Sequence, residues 1–81
     1  MDIKILGAGC AKCHQLERAV RATVESQGID ATVSKVEDIM DIMAYGVMMT
    51  PALVVDNKVV VKGRVPSEDE IIAMLKKAEA V

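Results

Sequence analysis

Asp2 to Leu6 (DIKIL) is a short, β-compatible apolar run that stops at Gly7-Ala8-Gly9. From Ala11 to Gln27 the period changes. Cys13, Leu16, Val20 and Val24 recur at spacings of three and four, one face of a helix, while Gln15, Glu17, Arg18, Arg21 and Glu25 supply polar positions. Gly28 is a C′ stop, and Ile29 to Val36 turns strand-like again through ATVSKV. A strand, a helix and a strand in this order form a parallel pair with a right-handed crossover. Most of what the chain can become is constrained by that unit. Lys4 is at odds with it, since a charged residue sits awkwardly in a central strand.

The remaining segments extend the pattern. EDIMDIMAYG reads as a short helix with Ile39, Ile42 and Met43 inward, closed by Gly46. Ala52–Val55 and Val59–Lys62 flank Asp56-Asn57, two residues that tolerate left-handed backbone, so a tight hairpin is expected. Lys58 and Lys62 suit an edge strand by discouraging further pairing. Ser67 and Glu70 have the spacing of a capping box. Behind it, Ile71, Met74, Leu75 and Ala78 form an apolar face, and Lys76 and Lys77 lie at the negative end of the helix. The order is β-α-β-α-β-β-α: an α/β domain over residues 1–81, with a four-stranded mixed sheet and helices on both faces.

Composition narrows the function classes. Of 81 residues 52% are hydrophobic, yet Tyr45 is the sole aromatic, so the core must be aliphatic. Met40, Met43, Met48, Met49 and Met74 read as core filler, with Met48 and Met49 also placed to line an apolar rim near the cysteines. A net charge of -2 and the lack of stacking aromatics give no reason to expect nucleic acid. No segment approaches the roughly 20 apolar residues of a membrane span. The N-terminal run, with an acid at position 2, is too short for a signal peptide, so a cytoplasmic location and no membrane partner are expected.

The only two cysteines, Cys10 and Cys13, stand in GAGCAKCHQLE. Such a pair fits a redox disulfide, half of a metal site, a metal-trafficking pair or, with His14 behind it, a haem c attachment. Two inert buried thiols would be the bland reading. A structural staple is weak, because closing so short a loop contributes only about 2 kcal/mol. Structural zinc wants four ligands, and haem c attachment goes with export. Two thiolates suit copper(I), but the small metal-carrying domains with this motif run β-α-β-β-α-β and end in a strand. The element order puts Cys10 at a loop-to-helix junction and Cys13 in the first helical turn. Unpaired N–H groups and the helix dipole favour thiolate there, and Lys12 and His14 add positive charge. Cys10 is then the exposed, more acidic thiol and Cys13 the buried one, a nucleophile with a resolving thiol behind it.

With CAKC after the first strand, MMTPAL before the hairpin and KGRVPSEDE leading into the last helix, almost the whole chain resembles the thioredoxin-like superfamily, in its short, glutaredoxin-sized branch. The resemblance implies a cis Pro51 against the cysteine pair. It also implies backbone groups at Thr50 offered to an extended substrate segment, and Gly63 bordering the substrate groove. Gly9 stands where the larger members carry Trp, Ala11-Lys12 replace Gly-Pro, and no buried Asp is evident in the first strand. The implied activity is thiol-disulfide exchange through a Cys10/Cys13 dithiol, with no cofactor beyond that disulfide and no metal. Its partners would be a disulfide-containing protein and a separate reductase, and the chain is expected to act as a monomer. Soft-metal trafficking by the same two thiolates is the competing reading.

Overall fold

The computed structural model describes residues 1–9 and 11–79. In chain order these form β1 (Asp2–Leu6), α1 (Ala11–Ser26), β2 (Thr32–Val36), α2 (Ile39–Ala44), β3 (Ala52–Val55), β4 (Lys58–Lys62) and α3 (Glu68–Glu79). One sheet has the order β2-β1-β3-β4. β1 runs parallel to β2 and antiparallel to β3, and β3 pairs antiparallel with β4. This is the α/β architecture expected from the element order, a four-stranded mixed sheet with helices on both faces, and it is the fold that the family resemblance implies.

The period-two alternation of β1 feeds two separate cores. Ile3 and Ile5 join Leu16 and Val20 of α1 and Ile71 and Leu75 of α3. Leu6 points the other way and packs with Ile42, Val47, Ala52 and Val54 beneath α2. β3, paired on both sides and covered on both faces, is buried throughout.

Lys4 lies in an inner strand after all, paired with both β2 and β3. Only the six-residue α2 covers that face, so the ammonium stays partly exposed. It donates to Tyr45 Oη at 3.1 Å and lies 3.7 Å from Asp2 Oδ2. The Tyr45 hydrogen bond is the main reason that the Lys4 pKa is raised.

Local signals explain where the elements begin and end. α1 closes in a Schellman motif: Ile29 N–H reaches Val24 O and Gly28 N–H reaches Glu25 O. Ile29 is therefore consumed by the cap and the core, and β2 starts later than its β-compatible run. Asp56 and Asn57 both adopt positive φ, as a type I′ turn requires. Asp56 also binds back to Asp2 through two 2.8 Å hydrogen bonds, fastening the hairpin end to β1. The Ser67–Glu70 capping box is formed in both directions. Asp38 caps α2 by accepting from Met40 N–H.

Three readings of burial need correction. Thr23, not Val24, completes the fully buried face of α1; its hydroxyl donates to Ala19 O, which removes the cost of burying it. In α2 only Ile42 is buried, because a helix of six residues laid flat on a sheet turns about one position inward; Ile39 and Met43 are exposed. Of the five methionines read as core filler, Met40, Met43, Met48 and Met49 are exposed, and Met74 packs against the larger core.

Candidate active site

At the carboxyl end of β1 the chain passes through Gly7 and the following loop into α1. Cys13, in the first turn of α1, is 3% exposed and turned inward. Its sulfur is engaged in a disulfide; the exposure expected of Cys10 lies outside the described residues. No acidic residue occupies the first turn of α1 to offset the positive end of the dipole.

Gly7 is shaped around this sulfur. Its φ is +154°, and a β-carbon there would overlap Cys13 Sγ while lying 3.2 Å from Cys13 Cβ and 3.6 Å from Thr50 Cβ. Three chain segments thus converge at one point: the end of β1, the start of α1, and the segment before β3. Gly7 N–H is donated to Val36 O at 2.9 Å, anchoring the approach to the end of β2.

The Thr50–Pro51 peptide bond is cis. Pro51 is buried and Thr50 is exposed. Pro51 O accepts from Gly63 N–H at 2.8 Å, so the turn after β4 is tied to the same segment. Arg64, next along, is paired with the last helix. Its guanidinium makes a two-pronged contact with Glu70 at 2.8 and 3.3 Å.

Of the residues singled out from sequence, Cys13, Thr50, Pro51 and Gly63 are therefore assembled around one segment. Lys12 and His14 are exposed in the first turn of α1. Among the described residues no group of three or more His, Cys, Asp or Glu is placed to hold a metal. No described helix is long and apolar enough to cross a membrane.

Sequence reasoning passed over two parts of the site. In sequence Gly7 reads only as a strand breaker, although a glycine three positions before the first cysteine of a CxxC pair is a natural place for backbone to meet sulfur. The other is a groove of roughly 350 Å³ beside Thr50, lined by Ala8, Ile39, Met43, Val47 and Met48 among others. Ile39 and Met43, exposed on α2, belong to its wall, which accounts for two side chains that the core does not use. A larger groove of about 500 Å³ lies at the opposite end of β3, between Val55, Val60 and Met74, and no cysteine lines it.

A family model described as "Thioredoxin domain" matches residues 1–76. A protein named "Thioredoxin" from Methanothermobacter thermautotrophicus is 40% identical over 75 residues, covering 93% of this chain and 97% of its own length. Another, also named "Thioredoxin", from Methanocaldococcus jannaschii is 42% identical over 74 residues, covering 91% and 85% respectively.

Proposed function

We propose, from the premise that this chain belongs to the thioredoxin family of thiol-disulfide oxidoreductases, that it exchanges electrons with disulfide-containing proteins through Cys10 and Cys13. Cys10 thiolate attacks one sulfur of a substrate disulfide, and the other substrate sulfur leaves as thiolate. Cys13, deprotonated, then attacks Cys10 Sγ and expels the second substrate thiolate. Two electrons have passed to the substrate, and a Cys10–Cys13 disulfide remains. An external dithiol, delivered by a reductase, restores it. No other cofactor takes part in this scheme.

The observation that carries the reading is the seat of Cys13: buried, at a helix N-terminus, against the bare backbone of Gly7 and next to Thr50. A resolving thiol must be held where a mixed disulfide at its neighbour will come within reach, and shielded from other oxidants. In this scheme the backbone of Thr50 pairs with an extended substrate segment, Pro51 and Gly63 border it, and Lys12 and His14 favour the Cys10 thiolate.

Substitution of each cysteine tests the assignment. Cys10→Ser is expected to abolish reduction of insulin by dithiothreitol-recycled protein, while Cys13→Ser accumulates a mixed disulfide on Cys10. Wild-type protein that reduces no disulfide, with both variants losing only copper(I) affinity, would sink the reading.

A further inference from the structure

Met49 lies along Gly63. A β-carbon on Gly63 would stand 3.3 Å from Met49 Cβ, 3.6 Å from Sδ and 3.0 Å from Cε, so the length of the side chain follows the glycine. Met49 is nevertheless 62% exposed: it rests on the turn and is open above. Beneath it, Gly63 N–H is already donated to Pro51 O. The neighbouring residue faces a different place, since Thr50 Cβ lies 3.6 Å from where a β-carbon on Gly7 would stand, the spot that Cys13 Sγ fills. Within two residues the chain thus presents one side chain to the sulfur and the other to the Gly63 turn.

The residue type suits a part that moves. Methionine is unbranched, with three rotatable side-chain bonds and a soft, polarisable sulfur. Laid on backbone with solvent above, it can swing aside without breaking a hydrogen bond. A β-branched residue is stiff at χ1 and would be confined there. The bare backbone of Gly63 (φ +77°) provides the bed, and any side chain at that position would have to push the thioether off.

We infer that Met49 is a movable cover over the Gly63 side of the active site and sets which disulfides gain access to it. A polypeptide laid between Thr50 and Gly63 must displace the thioether, whereas a small disulfide approaching the cysteines directly need not. The inference rests on the oxidoreductase reading and adds a specificity-determining residue to it.

The test compares insulin with hydroxyethyl disulfide as substrates of wild type, Met49→Ala and Met49→Ile, each recycled by dithiothreitol. Removing the cover is expected to raise kcat/KM for insulin about two- to tenfold, the scale set by immobilising one side chain, and mainly through KM. Met49→Ile is expected to lower it, and neither variant should alter kcat/KM for hydroxyethyl disulfide. A higher KM for insulin in Met49→Ala would overturn the inference, because Met49 would then be a contact that substrates need. Equal changes for both substrates would overturn it too. Wild-type protein that reduces neither substrate would remove the oxidoreductase reading itself, and the inference with it; that outcome is distinct from either of the others.

Discussion

The sulfur of Cys13 occupies the space that a side chain on Gly7 would need. The end of a central strand and the inner cysteine are thereby fitted to each other, with Thr50 closing the third side. Gly7→Ala must displace the sulfur or the strand end, and neither is a flexible tip. Overpacking of this kind costs about 1–3 kcal/mol, and the positive φ adds backbone strain. We expect the urea midpoint to fall accordingly and insulin reduction to slow. An unchanged midpoint would mean that the strand end yields freely and that Gly7 does not hold Cys13 in place.

Glu70 makes the stability of the last helix depend on pH. The Arg64 guanidinium, and then the Ser67 backbone N–H, hold its carboxyl at about 2, below the ordinary 4.5. A carboxylate lowered in the folded state stabilises it fully above pH 4.5, and this contribution disappears as pH falls from 4.5 to about 2. The stability difference between wild type and Glu70→Gln should therefore be present at pH 7 and close near pH 2. Urea melts of both proteins at the two pH values check this. Other carboxylates lose their pairing in the same range, including Glu17, lowered chiefly by Arg21, but they cancel in the comparison. A gap that stays constant would show that the Arg64–Glu70 pair gives no net stabilisation.

α2 is docked mainly through one residue. Ile42 is its sole buried side chain, packed on Leu6, Val47, Ala52 and Val54. Ile42→Ala is expected to cost about 2–5 kcal/mol, whereas Met40→Ala, on the exposed side of the same helix, should stay within about 0.5 kcal/mol. Because α2 also walls the groove beside Thr50, Ile42→Ala should weaken insulin reduction more than hydroxyethyl disulfide reduction. Denaturation midpoints and the two assays measure this, and a Met40→Ala loss as large as that of Ile42→Ala would contradict it.

The fold was largely legible because its signals are local and mutually consistent. The CxxC helix, the Asp56-Asn57 turn and the Ser67–Glu70 box each follow from a few adjacent residues. The misread side chains fail for a common reason, since burial depends on what covers a face. Ile39 and Met43 have helical spacing, but nothing in their own segment says that six residues on a sheet bury only Ile42. Met40, Met43, Met48 and Met49 are hydrophobic enough for a core, and only the assembled fold shows that other residues fill it. At the site, Thr50, Pro51 and Gly63 were reached through family resemblance. Gly7 and Met49 depend on backbone approaching side chain across segments distant in sequence, which no spacing rule conveys.

Tyr45, hydrogen-bonded to Lys4 where α2 meets β1, is the sole aromatic side chain of the molecule; there is neither Trp nor Phe. Ultraviolet emission from this protein therefore has a single source, and that source sits at the joint between the shortest helix and the sheet. Fluorescence will follow the docking of α2 before anything else, with no probe attached. An unfolding trace read by that light and one read by backbone circular dichroism need not coincide, and their separation would measure how independently the groove wall opens.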